Sequence, residues 1–182
     1  QLDVVRLKDK LGNRSNASSE IEMEDTWAVM VGDDGRGVAT IIEMVQHTRL
    51  DCVIGSSSGM RQAVVQAVHH ARHRNAFGRR LVEQPLMLNV LADLAVESEA
   101  ATLLMLRLAR AYDESTRDPQ AKAFTRLATA VAKFWVCKRQ PPLVVEALEC
   151  LGGGGYVEDC IMPRLFRESP VNGIWEGSGN VI

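Results

Sequence analysis

Apolar positions change rhythm twice along the 182 residues. Up to about residue 30 they alternate with polar ones, at Leu2, Val4 and Leu7 and again through Glu20-Ile21-Glu22-Met23-Glu24. Gly12-Asn13-Arg14-Ser15-Asn16 between the two runs is turn chemistry. Alternation of this kind predicts short strands. Two such strands are too little sheet to stand alone, so residues 1–34 are expected to be the end of a β-domain lying mostly outside the chain.

A helical period follows. Asp33-Asp34-Gly35-Arg36-Gly37 reads as a loop with carboxylates placed to cap a helix. Ile41, Val45, Thr48 and Cys52 then recur at helical spacing, and the helix is expected to run to about His73. Gly55-Ser56-Ser57-Ser58-Gly59 interrupts the pattern, and propensity alone would break the helix there. Good helix formers resume from Gln62 to Ala71 without a proline, which favours one continuous helix whose small-residue face lets another helix approach. Met87, Leu91, Leu94, Ser98, Ala101, Met105, Leu108 and Tyr112 lay a single stripe along a second helix. After a polar loop at 113–119, a third helix is expected from about Gln120, with Phe124, Leu127, Val131 and Phe134 on one face. Pro141-Pro142 should end or kink it, since two amide donors are lost. Leu143–Leu151 continues as helix to the run Gly152-Gly153-Gly154-Gly155, and a short helix is expected near Pro163–Arg167. Three long amphipathic segments with short connections predict a mainly α, up-and-down bundle over 35–182. Its fourth helix would start after Glu176 and lie nearly all outside the chain, where Asn180-Val181-Ile182 opens a new apolar segment.

Composition sharpens this picture. Hydrophobic residues make up 46% and aromatics only 5%, a balance that favours packed helices over a β-sandwich. A net charge of -2 supplies no general basic field for nucleic acid or an anionic membrane. No apolar stretch reaches the length of a membrane span. Cys52, Cys137, Cys150 and Cys160 show no C-x-x-C spacing, so they read as buried thiols of a cytoplasmic protein. His69, His70 and His73 share a helix face but lack the glutamate of an H-E-x-x-H motif, and no metal site is expected.

Four local motifs, in order along nearly the whole chain, resemble the acyl-CoA dehydrogenase family. They are Lys8-Asp9-Lys10-Leu11-Gly12 leading into an acidic strand, Thr48-Arg49, Arg74-Asn75-Ala76-Phe77-Gly78 and Ile174-Trp175-Glu176-Gly177-Ser178. The Gly152–Gly155 run falls where that family has a glycine-rich turn. Leu11–Ser18, Gln84-Pro85-Leu86-Met87 and Ile174–Asn180 are similar to its adaptive alkylation-response (AidB-like) branch. The resemblance implies an acyl-CoA dehydrogenase C-terminal bundle following the end of the middle β-domain, and FAD as cofactor.

The same resemblance assigns candidate roles. Glu176 would be the base that takes an α-proton from an acyl thioester while hydride passes to flavin N5. Without the family context, a Glu before a helix is a dipole-satisfying residue. Thr48, Arg49 and Trp175 would border the substrate, with Thr48 where one sub-branch carries its glutamate. Arg74 and Phe77 would reach a neighbouring subunit's FAD, because an Arg fork suits a pyrophosphate. Gln84, Gly152, Gly153, Ser178 and Asn180 complete the implied cofactor contacts. Glu149 stands where many members have Gln, and Trp175 where they have Tyr. The basic residues Arg72, Arg74, Arg79 and Arg80 lack interleaved aromatics and read as cofactor-facing or solvated.

Three functions remain open from the sequence. The first is an FAD-dependent acyl-CoA dehydrogenase acting as a dimer or tetramer. The second is an alkylation-response flavoprotein that binds or protects DNA through regions outside this segment, with vestigial dehydrogenase activity. The third is a helical oligomerisation module. Alone, the segment is expected to fold, self-associate, carry no FAD and be catalytically silent.

Overall fold

The computed structural model describes residues 1–181. Strands β1 (Leu2–Leu7) and β2 (Ser19–Met23) form an antiparallel hairpin with an irregularity in register between Val4 and Arg6. Every residue of both strands is exposed. The strand alternation is therefore legible, but neither face is buried among the described residues. Extended structure stops at Met23, short of the expected residue 30. The hairpin loop meets the helices at Gly12, where a Cβ would lie 2.5 Å from the Arg167 carbonyl oxygen.

Helix α1 (Gly37–His73) is continuous through Gly55–Gly59, as the resumed helix formers predict. The small residues are what the packing needs. A Cβ at Gly55 would come within 3.3 Å of the Asn172 amide, and one at Gly59 would collide with the Gln140 amide. Ser56, Ser57, Ala63, Ala67 and Ala71 extend the same buried face. The expected carboxylate cap is absent: Arg36 occupies the cap position without a side-chain bond, and Asp33 contributes its backbone carbonyl to Arg36 N instead. Ile41 at the start of the helix is exposed, and burial begins with Leu50.

A two-residue hairpin follows, β3 (Asn75–Ala76) paired with β4 (Arg79–Arg80). Helix α2 (Pro85–Glu114) buries the predicted stripe: Leu91, Leu94, Ser98, Ala101 and Leu108 fully, Met87, Met105 and Tyr112 in part. The Tyr112 hydroxyl donates to Gln46 O and pairs with Thr129 Oγ1, each at 3.1 Å, tying α2 to both neighbours.

Helix α3 (Pro119–Glu149) corrects two expectations. Of the two outcomes expected at Pro141 and Pro142, an end or a kink, the end does not occur: the helix runs through them, with Val136, Cys137, Leu143, Val144 and Ala147 buried on both sides. Its buried face is also not the one predicted. Leu127, Val131 and Phe134 are exposed and Phe124 is half-buried, while Ala121, Thr125, Thr129, Ala132, Lys133 and Gln140 face the core. Close approach of α1 selects small side chains, so the larger apolar residues are turned outward. The helix ends at Glu149, two residues before the expected Leu151.

Gly153–Tyr156 forms a single helical turn, α4, and Met162–Glu168 is α5. A 3-10 turn at Val171–Gly173 leads into bends and turns over residues 174–181. The expected fourth helix has not begun by Val181, and Ile182 lies outside the described residues. Three cysteines are buried as expected, but Cys160 is half-buried, its Sγ 3.3 Å from Gly154 O. No helix among the described residues is long and apolar enough to cross a membrane.

Candidate functional site

The residues singled out by sequence gather in two places. The first lies where the N-terminal half of α1 meets α3 and the final loop. Thr48, Asp51 and Cys52 of α1 and Asn172, Trp175 and Glu176 of the loop line a cavity of about 210 Å³. Glu176 has φ of 58° and Gly177 φ of 92°. A left-handed conformation is ordinary for glycine but strained for glutamate, so the surroundings must impose it. Two cations do this. Arg49 Nε donates to the Glu176 carbonyl at 3.0 Å, and Lys133 Nζ donates to the Gly177 carbonyl at 2.8 Å. Trp175 Nε1 donates to Asn172 Oδ1 at 3.2 Å, fixing the cavity wall.

Electrostatics confirm that charged groups converge here. Burial first, then the neighbouring Cys137, pushes the Cys52 thiol up to about 11; the Glu176 carboxylate pushes the same way and the Lys133 ammonium opposes it. Burial also raises the Cys137 thiol, again against Lys133. Thiols held neutral in this way are poor nucleophiles, leaving the carboxylates of Glu176 and Asp51 as the cavity's candidate proton acceptors, of which the motif singles out Glu176.

Ser178 and Asn180 belong to this end. Ser178 Oγ accepts from Asn180 N at 3.5 Å, and Lys138 Nζ donates to Asn180 Oδ1. Thr48 Oγ1 donates back to Val45 O at 3.1 Å within its own helix.

The second place is the far end of α1. Arg74, Gly152 and Gly153 share a groove of about 560 Å³ with His70, Ala76, Leu81 and Glu149. Cβ atoms added at Gly152, Gly153 or Gly154 would meet nothing within 4 Å, so the turn presents open space. The Gly152 amide donates to Glu149 O at 2.9 Å, so its contribution is closeness rather than a free donor. Burial, then the nearby Arg74 and His69, lowers the His70 pKa. Phe77 and Gly78 have φ of 54° and 82° at the two central positions of the β3–β4 hairpin, the geometry of a type I′ turn. Asn or Gly is the usual occupant of Phe77's position. Phe77 is 96% exposed, so nothing among the described residues compensates the strain. Gln84 caps the start of α2 and donates to Ala76 O at 3.4 Å, bracing the hairpin. Glu149, the departure from Gln, is exposed at the rim of the same groove.

Residue 49 lies inside α1 and residue 74 caps its C-terminal end, so at roughly 1.5 Å per helical residue the two places are on the order of 37 Å apart. The sequence reading missed Lys133 and Asp51. A lysine inside a helix reads as solvated, yet Lys133 lies four residues from both Thr129 and Cys137 and so on the small-residue face that is buried.

Comparisons with known proteins identify the family. The family model described as acyl-CoA dehydrogenase, C-terminal domain, matches residues 35–182. The chain belongs to the acyl-CoA dehydrogenase family. It is 50% identical to AidB of Escherichia coli (strain K12) over 97% of its own length and 32% of that protein's. Acyl-CoA dehydrogenase family member 11 of Caenorhabditis elegans is 35% identical over the whole of this chain and 30% of its own. The crystal structure of Caenorhabditis elegans ACDH-11 in complex with C11-CoA superposes with a TM-score of 0.94 at 35% identity, over 98% of this chain and 31% of that one. The chain thus spans about a third of the length of these relatives.

Proposed function

We propose that the whole protein is an FAD-dependent acyl-CoA dehydrogenase that forms the α,β double bond of an acyl-CoA thioester, with Glu176 as the base. The observation that carries this reading is the imposed left-handed Glu176 on a cavity wall, held from behind by Arg49 and Lys133. A carboxylate in that place can accept a proton, and its fixed backbone supplies the alignment that proton abstraction needs. Trp175 and Thr48 border the same cavity as substrate contacts, with Arg49 behind them. Membership of the family and the C11-CoA complex of its similar structure support an acyl-CoA substrate.

The residues present fit a flavin nucleotide. Arg74 with its fork of donors and the open Gly152–Gly153 turn would hold its phosphates, Phe77 and Gln84 its flank, and Ser178 and Asn180 would lie toward its other end. When bound, the flavin supplies the hydride acceptor. The roughly 37 Å between the two places supports a homo-oligomer, dimer or tetramer, in which Arg74 and Phe77 serve the partner's cofactor while Glu176 serves its own. Residues 1–34 are read as the end of the middle β-domain and 35–182 as the C-terminal bundle. Nothing among the described residues favours a DNA-binding role: Arg80 is paired with Glu83 at 2.6 Å, and the net charge is -2.

The test is Glu176→Gln in the whole flavoprotein, which keeps shape and removes the proton acceptor. Bound flavin should be unchanged, and its bleaching by acyl-CoA under anaerobic conditions should slow by about a hundredfold or more. Reduction within about tenfold of wild type would remove Glu176 as the base.

A further inference from the structure

Lys133 is 1% exposed and is the largest fully buried side chain of the described residues. Among those residues it is also the one charged group in the buried set, whose other polar members are serines, threonines and Gln140. A buried cation is normally matched to a carboxylate, because desolvating a charge without compensation is costly. Lys133 donates instead to a backbone carbonyl, Gly177 O. No need of the bundle core explains this, since methionine or leucine would fill the same volume without the penalty.

The residue after the candidate base is what the ammonium holds. The Glu176 and Gly177 carbonyls are consecutive, and each is gripped by a cation from a different helix, Arg49 of α1 and Lys133 of α3. Both residues have positive φ. A left-handed glutamate relaxes unless neighbouring atoms over-determine it, and these two bonds, 127 and 44 residues apart in sequence, are the long-range restraints on that stretch. Asn180 adds a third contact to a cation, through exposed Lys138.

We infer that Lys133 is a positioning residue for the base: its buried ammonium locks the Gly177 carbonyl and thereby sets the direction of the Glu176 carboxylate. The inference rests on Glu176 being the base. Lys133 does not touch the reacting atoms. It acts through the backbone, so its loss should change the rate of the chemical step and the order of the loop while leaving substrate affinity in place.

The experiment uses the whole flavoprotein with Lys133→Met and Lys133→Gln. Met keeps the volume and removes the donor; Gln keeps a shorter, neutral donor. Three quantities are read: the limiting rate of flavin reduction by acyl-CoA, the half-saturating acyl-CoA concentration, and amide hydrogen exchange over residues 173–181. The expected order is wild type, then Gln, then Met, with the rate falling roughly tenfold and on the order of a hundredfold. Exchange over 173–181 should accelerate in the same order, and half-saturation should stay within about threefold. Wild-type rates in a folded Met variant overturn the inference, as does a slowed rate with unchanged loop exchange. If the Met variant does not fold, the Gln variant decides: a lower rate with faster loop exchange supports the inference, and wild-type values of both overturn it. Glu176→Gln run alongside separates the two readings. Reduction that persists there removes the base itself, whereas wild-type behaviour of the Lys133 variants beside a silent Glu176→Gln removes only the positioning role.

Discussion

The two ends of α1 hold their site residues in opposite ways. At the Glu176 end the restraints come from within the chain: Arg49 and Lys133 reach across from α1 and α3, and Asn172 braces Trp175 within the loop itself. At the Arg74 end the groove is open, Phe77 projects into solvent from a strained turn, and Arg74 is exposed. Both ends contain a non-glycine residue forced into left-handed backbone. Only one of them contains the contacts that would hold it there for use. A self-restrained end suits chemistry that needs fixed angles, and an unrestrained one suits a surface completed by something that docks on it.

Four substitutions can break or sharpen that contrast. The largest effect is expected for Arg74→Ala in the whole protein. Removing a charge-assisted fork to phosphate should weaken flavin retention about tenfold or more, read by titrating FAD into apoprotein. The same variant, once saturated with FAD, should be reduced by acyl-CoA at a normal rate; a slowed reduction would show that the ends are not separate. Next comes a pair of glycines. Gly59→Ala puts a methyl into the Gln140 amide, the movable end of a buried side chain that must shift, and overpacking of this kind should cost about 1 kcal/mol by denaturant unfolding. Gly153→Ala meets open space and should leave unfolding unchanged. Equal losses for the two would contradict the packing of α1 on α3. The smallest effect is expected for Phe77→Gly. Relieving an exposed residue at φ 54° should stabilise the fold by about 0.5–1 kcal/mol, seen as a slightly higher Tm, and any loss of stability would mean the ring is already packed against something.

How much of this was legible in sequence differs helix by helix. α2 could be read directly because the stripe from Met87 to Tyr112 is the buried one, although Leu88, Leu103 and Leu106 outside it are exposed. α3 could not, because its buried face was chosen by proximity to the small residues of α1. Leu127 and Val131 gave the stronger periodic signal and turned out to face solvent. Pro141 and Pro142 misled for a related reason: local hydrogen bonding argues for a break, while packing on both sides keeps the helix whole. The candidate site was visible only through motif resemblance, which singled out Glu176, Arg49 and Arg74 but not their spatial grouping. Lys133 was beyond it, since knowing that it is buried required knowing which face of α3 is buried.

The length of α1 carries a consequence for how such chains can vary. Arg49 lies inside one uninterrupted helix, and Arg74 caps its C-terminal end. Adding a single residue between them would turn everything beyond it by roughly 100° and move Arg74 off the groove it shares with Gly152 and Gly153. Insertions and deletions inside α1 are therefore forbidden almost one by one, while the polar loop between α2 and α3 can absorb them freely. The helix acts as a molecular ruler, and descendants of this chain can change its letters but not its count.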